Sequence, residues 1–434
     1  MKFKILLAAL FALGSSFAWG FCGFYVGKAD SKLFNKASQV ILARQENRTI
    51  LTMANDYHGE MKDFALVVPV PVVLQKDQVH VGDPKVLERL DAFSAPRLVE
   101  YFDENPCEPR RQYPMAPMSA MEDKDAKRGG GSSFGVKVEA QFTVGEYDIV
   151  ILSAEESNGL EKWLHANGYQ IPAGAAPLLQ PYIKQNMKFF VAKVNLKEFQ
   201  ARGFEFLRPL QMAYESPKFM LPIRLGMINA ENEQDLIVYA LSPTGRTEIT
   251  NYRTVAIPTG MDIPMYVKGD FSSFYKALFA RSYEKEGKNI GFLEYAWNMS
   301  WCDPCAADPL TPEELSKAGV FWLDQSGQNV YISRLHVRYT RAKFPEDLVF
   351  QSTPNQENFQ GRYVLRHPYE GEMKCDAATA YKAEVAKRHE IDAQTLANLT
   401  GWDITDIRRK MGMDAKKPEE KSWWKKVFGD DNSR

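Results

Sequence analysis

Residues 39–55, QVILARQENRTILTMAN, set two runs rich in aliphatic and β-branched residues on either side of a polar centre at Glu46 and Asn47. Strand formers flanking turn residues make a β-hairpin, the unit from which antiparallel sheets grow. The same pattern recurs down the chain. FALVVPVPVVL (64–74) reads as a strand whose Pro69 and Pro71 cannot donate ladder hydrogen bonds, which assigns it to a sheet edge or an extended arm. VKVEAQFTV, YDIVILS, KFFVAKV, FEFLRPLQMAY, KFMLPIRLGMI, DLIVYALS, TEITNYRTVAI, NVYISRLHVRYT and DLVFQST follow, separated by turn residues. Such a succession, without regular βαβ crossovers, predicts an α+β chain of mainly antiparallel, sandwich-like β lobes.

Helices enter this reading as covers. Asp83 before Pro84, and Ser94 ahead of Pro96, are two helix starts, so a helical pair is expected over the first sheet. Ser153 with Glu156 forms a capping box whose helix ends at Asn167 and Gly168. Asp376 to Met413 reads as two helices parted by Thr400 and Gly401, giving a helical C-terminal region.

At the amino end, Lys2 and Lys4 precede nine apolar residues, Ile5 to Leu13, and then small residues. This is the pattern of a secretory signal peptide, with cleavage expected after Gly20. The apolar run is short of the roughly 20 residues that span a bilayer. A lipid-attachment signal at Cys22 would place Phe21 where a small residue belongs. No later stretch is long and apolar enough to cross a membrane, so a periplasmic or secreted protein is expected. Fifty-four basic residues against 55 acidic ones leave no electrostatic footprint for nucleic acid.

The organisation expected is a signal peptide (1–20), an N-terminal β-rich lobe with its helical pair (21–105), and a flexible linker (106–135). A second β-rich lobe (136–290), a Cys-x-x-Cys loop with C-terminal strands (291–375) and the helical region (376–434) complete it. The linker reading rests on CEPRRQYPMAPMSAMEDKDAKRGGGSSFG, rich in proline, charge and glycine without apolar period. FYVGKADSKLF from Phe24 and FFVAKVNLKEF from Phe189 share five of eleven residues, which raises an internal duplication.

Five cysteines fall after the expected cleavage point: Cys22, Cys107, Cys302, Cys305 and Cys375, all disulfide candidates in an oxidising compartment. WCDPC (301–305) matches the W-C-x-P-C of thiol-disulfide oxidoreductases, in which a helix N-terminus activates the first thiol. Here Pro309 and a capping box at Thr311, Pro312 and Glu314 start the helix six residues beyond Cys305. The pair therefore reads as a structural crosslink, within itself or from one member to Cys375, with Cys302 and Cys305 as a redox pair the competing reading. A zinc ribbon needs a second cysteine pair, and no histidines stand at zinc spacing, so neither metal nor cofactor is expected.

In SRLHVRY, alternation puts Arg334, His336 and Arg338 on one strand face, opposite Leu335 and Val337. That face reads either as an anion-binding surface or as a sheet face paired to acidic side chains. His58, with Asp56, Glu60 and Asp63, reads as a solvated hairpin loop rather than an acid–base cluster. GSSFG (131–135) fits the serine-hydrolase pattern G-x-S-x-G but lacks the strand before and helix after it. Trp423, Trp424 and Phe428 in the basic tail read as docking onto the protein's own surface or as an interface to a membrane or partner.

CGFYVGKADSKLFNKASQV, MANDYHGEMKDFALVVPVPVVL, SAPRLVEYFDENPC, WCDPCAADPL, LHVRYTRAKFPEDLVFQST and ENFQGRYVLRHPY together resemble a bacterial family of exported proteins, the domain of unknown function numbered 2330. The likeness runs from Cys22 to beyond Cys375. It implies a bacterial source and a periplasmic or secreted location, and carries no substrate, cofactor or catalytic residue. The function expected is non-enzymatic binding of a partner protein or envelope component; the competing class is a thiol-disulfide oxidoreductase.

Overall fold

The computed structural model describes residues 24–27, 34–35, 38–54, 57–58, 64–108, 138–154, 157–167, 169, 175–201, 207–228, 233–323 and 329–413. The chain enters with β1 (Phe24–Gly27), the hairpin β2 (Ser38–Gln45) and β3 (Arg48–Ala54), β4 (Phe64–Val70) and β5 (Val79–Val81). Then come α1 (Pro84–Ser94), β6 (Arg97–Phe102), β7 (Val138–Val144), β8 (Tyr147–Ser153), α2 (Ser157–Ala166), α3 (Ala176–Lys184) and β9 (Lys188–Val194). α4 (Leu196–Ala201), β10 (Leu210–Glu215), β11 (Gln234–Ser242), β12 (Arg253–Ala256), α5 (Phe271–Lys285) and β13 (Ile290–Asn298) follow. Toward the carboxyl end stand α6 (Pro312–Lys317), β14 (Tyr331–Tyr339), β15 (Arg362–His367), α7 (Ala377–Thr400) and α8 (Ile404–Lys410).

Two sheets carry the fold. One has five antiparallel strands in the order β1-β4-β9-β8-β7. The other has nine, running β12-β13-β14-β11-β2-β3-β10-β5, with Phe359–Gln360 paired to β13. Its pairings are antiparallel except β11 with β2 and β12 with β13. This sheet takes strands from residues before 105, between 136 and 290, and from 290 onward, so all three stretches share one sheet.

Alternation along each strand decides what lies between the sheets. Val40, Leu42, Leu51, Met53, Val238 and Leu335 of the larger sheet pack with Leu66, Val68, Ile151 and Phe190 of the smaller in a common core. The outward residues are covered by helices. Ala65, Val67 and Phe189 meet Leu160 and Leu164 of α2 and Tyr182 of α3. On the far side, Ile41, Ala43 and Ile237 meet Leu87 and Leu90 of α1 and Leu315 of α6. Phe292 meets Phe274 and Leu278 of α5, Leu396 of α7 and Ile407 of α8. The architecture is α+β: helices, sheet, sheet, helices.

The opening hairpin forms as read, Gln45 opposite Arg48, with Glu46 taking a positive φ of 51° in the turn. Asp83 caps α1 by accepting from Lys85 N, and Pro84 occupies its first position. Thr311 Oγ1 accepts from Glu314 N at the start of α6, while the Glu314 carboxylate accepts from Thr311 N at 2.8 Å, the reciprocal cap expected. Thr400 ends α7, Gly401 takes φ of 74°, and α8 follows.

Three expectations are corrected. The second helix of the N-terminal pair does not form: Ser94 closes α1, its Oγ donating to Leu90 O, and RLVEYF becomes β6, drawn into parallel pairing with β15. β4 lies one strand in from the edge, because β1 covers residues 64–67; Pro69, beyond them, pairs only towards Phe189. KFMLPIRLGMI is not one strand, since Pro222 ends a two-residue strand, Met220–Leu221, and a 3-10 turn follows at Arg224–Ile228. The segment 109–137, Cys22, GSSFG and the tail with Trp423, Trp424 and Phe428 lie outside the described residues. Among the described residues, no helix is long and apolar enough to cross a membrane.

Candidate functional site

The chemistry gathers on the helix-covered face of the nine-stranded sheet. β14 alternates as read: Leu335 and Val337 enter the inter-sheet core, while Arg334, His336 and Arg338 face α1 and α5. On neighbouring β13 the register slips between Leu293 and Tyr295, making Glu294 an extra residue. Such a bulge re-aims side chains, and Glu294 is delivered, fully buried, to the basic face. β11 supplies Asp235 and Tyr239, paired in register with Arg338 and Arg334.

The groups interlock. Arg334 Nε donates to Glu294 Oε2 at 2.7 Å and its Nη1 to Asp91 Oδ1 of α1 at 2.6 Å. Tyr239 OH donates to the same Asp91 oxygen at 3.0 Å. Glu294 Oε1 takes His336 Nδ1 at 2.7 Å and accepts from Tyr275 OH of α5. Arg338 grips Asp235 with two bonds of 2.7 Å, while His336 Nε2 lies 3.3 Å from Asp235 Oδ1, off the line of a hydrogen bond. Phe279 of α5 stacks on the His336 ring with centroids 4.0 Å apart.

The electrostatics follow from burial opposed by pairing. Burial alone would raise the Glu294 carboxyl, but His336 and Arg334 outweigh it and hold it at about 2. Asp235 is likewise held at about 2 by His336 and Arg338 against its desolvation. Burial pushes the His336 imidazole down, yet Glu294 and Asp235 together carry it above its ordinary value. Two guanidiniums and an imidazole thus meet three carboxylates, and the set tethers α1 and α5 to the sheet. The acid-paired alternative for Arg334, His336 and Arg338 is the arrangement found.

Beside this network lies the cysteine loop. Cys302 and Cys305 are bridged to each other, and Cys107 is bridged to Cys375. A link from the Cys-x-x-Cys pair to Cys375 is thereby corrected: Cys375 follows β15, Cys107 follows β6, and these parallel strands deliver both to one place. Cys305 is exposed and Cys302 half-buried. Arg97 Nη1 and Gln360 Nε2 reach the Pro304 carbonyl at 3.5 and 3.4 Å. Arg97 is buried, bonded also to the carbonyls of Phe93 and Ala95, and meets no carboxylate among the described residues. Desolvation lowers its pKa, the Tyr295 ring neighbourhood only partly opposing that.

A third group stands at the surface where β6 and β15 end. Phe102 is 70% exposed and stacks on His367 with centroids 4.2 Å apart; Tyr101 is 42% exposed beneath the Arg366 guanidinium. Glu100 binds both His367 and Lys268 there. Asp103 anchors α7 through Arg388 at 2.6 Å and Tyr381 at 2.7 Å, next to the Cys107–Cys375 bridge.

The basic face, the cysteine pair and the helix start were readable in advance; Glu294, Asp235, Asp91, Tyr239 and Tyr275 were not. A buried acidic residue inside the apolar run GFLEYAW was the one available signal for Glu294. Among the described residues, no group of three or more His, Cys, Asp or Glu side chains is placed to hold a metal ion.

Fold and network together define an α+β protein of two stacked sheets with an ion-paired, helix-covered outer face. Residues 17–351 match the family described as "Uncharacterized protein conserved in bacteria (DUF2330)", and the chain belongs to that family. Neither the curated proteins nor the solved structures compared with the chain include a match.

Proposed function

We propose that the protein is exported to the periplasm or beyond and works by binding a partner protein or cell-envelope component. The observation that supports this reading is the exposed aromatic end of β6 and β15. Large aromatic side chains left open beside charged groups are the composition of binding surfaces, where they supply contact area at low entropic cost. β6 pairs only with β15 among the described residues, so its other edge is suited to adding an extended segment of a partner. The test is photo-crosslinking from position 101 in an envelope fraction, with and without Phe102→Asp. A discrete adduct that Phe102→Asp abolishes at unchanged melting temperature is expected; adducts indifferent to that change, or none, overturn the reading.

One arrangement favours a second reading, thiol-disulfide exchange at Cys302 and Cys305. Cys305 is exposed, and the Arg97 cation reaches into its loop, where a guanidinium favours the thiolate over the thiol. The bridge would be reduced to two thiols as a substrate dithiol is oxidised to a disulfide. Alkylation and mass spectrometry after mild dithiol treatment decide it. Reversible opening of this bridge ahead of Cys107–Cys375 is expected; thiols that stay blocked until denaturation remove the reading.

A further inference from the structure

A cleft of about 270 Å³ opens at the far edge of the nine-stranded sheet, away from the ionic network. Its floor is the outer face of β3, β10 and β5, presenting Arg48, Ile50, Ala213 and His80. One wall is the chain leaving α6, from Ser316 to Phe321; the other is Asp77. Gly319 makes the close approach of wall to floor, at φ of 96°, where an added Cβ would come within 2.6 Å of Ile50 Cγ2. Its volume lies just under the ~300 Å³ at which pockets for drug-sized ligands begin, so its occupant is smaller.

The lining has a distinctive chemistry. The Arg48 guanidinium lies 4.6 Å over the Phe321 ring and forms no ion pair among the described residues. Asp77, His80 and Ser316 also have no side-chain partner among the described residues, although charged and polar groups nearby, such as Glu313 and Lys317, are paired with each other. Gln211 spends its amide N–H groups on Thr52 and the Lys317 carbonyl, which leaves its carbonyl oxygen as an acceptor. One free cation, one free anion and an apolar strip of Ile50, Val320 and Phe321 therefore converge on a small volume.

We propose that this cleft binds a small zwitterion of the amino-acid class, its carboxylate on Arg48, its ammonium toward Asp77 and its side chain against Phe321 and Val320. A net-neutral ligand with separated charges matches a lining of one guanidinium and one carboxylate. A rigid aromatic ring under the guanidinium restricts it in place and reduces the ordering cost of binding.

The experiment is ligand-observed NMR titration of the full protein with a panel of free amino acids, using 3-phenylpropionate and phenethylamine as single-charge controls. Saturable binding of an apolar amino acid is expected, weakened at least about tenfold, or ~1.4 kcal/mol, by Arg48→Ala and by Asp77→Asn. The carboxylate control is expected to depend on Arg48 alone and the amine control on Asp77 alone. These residues are exposed, so each variant should melt with the wild type. Failure of every amino acid to saturate, or binding that both substitutions leave unchanged, overturns the proposal.

Discussion

Glu294 answers Arg334, His336 and Tyr275 from a fully buried position. Removing it takes from Arg334 and His336 the buried carboxylate they share, leaving Arg334 with Asp91 and His336 beside Asp235, and breaking a buried pair costs about 3–5 kcal/mol. Glu294→Ala is expected to lose that much in urea unfolding, and Glu294→Gln less, because the amide keeps one acceptor for Arg334. A loss under ~1 kcal/mol for the alanine variant would mean that the network holds nothing. The pH dependence has two signs. His336 is raised, so its protonated contribution is complete below its unfolded value near 6.5 and disappears as pH rises through the higher folded value. Asp235 and Glu294 are lowered, so theirs is present above about 4 and fades as pH falls toward 2. The stability difference between wild type and His336→Gln should therefore shrink on the alkaline side, measured by thermal melts across pH.

At the scale of elements, what could be read was local. The hairpin turn, the Asp83 and Thr311 caps and the Gly401 break each depend on a few adjacent residues and formed as expected. The basic face of β14 followed from period-two alternation alone. Its acidic partners did not, because they come from β11, β13, α1 and α5. The bulge hid Glu294 further: strict alternation would put Glu294 and Tyr295 on opposite faces, whereas Tyr295 and Trp297 share the helix-covered face with it. α5 was passed over although Phe271, Phe274, Tyr275, Leu278 and Phe279 recur at i, i+3, i+4, i+7 and i+8, the spacing of one apolar helix face. RLVEYF went the other way: a proline ahead of it suggested a helix start, and pairing with a strand some 265 residues distant made it β6. Candidate binding residues at Phe102, His367 and Arg48 carry no local signature at all, since only the assembled surface distinguishes them.

For the whole molecule, the decisive connection is Cys107 to Cys375, across a sequence separation of 268. Closing so long a loop restricts the unfolded chain, and loss of such a bridge costs about 2–5 kcal/mol. Cys107→Ser with Cys375→Ser should lower stability by that amount and loosen α7 first, read by amide hydrogen exchange. Exchange across α7 unchanged from wild type would contradict the anchoring role. The bridge also makes most of the polypeptide a closed ring, containing both large sheets except the strands that precede Cys107. A protease that cuts once anywhere between those two cysteines opens the ring without releasing a piece. The nicked protein would still run as one covalent species until a reductant is added, so the two halves of a severed backbone stay joined for as long as the bridge is oxidised.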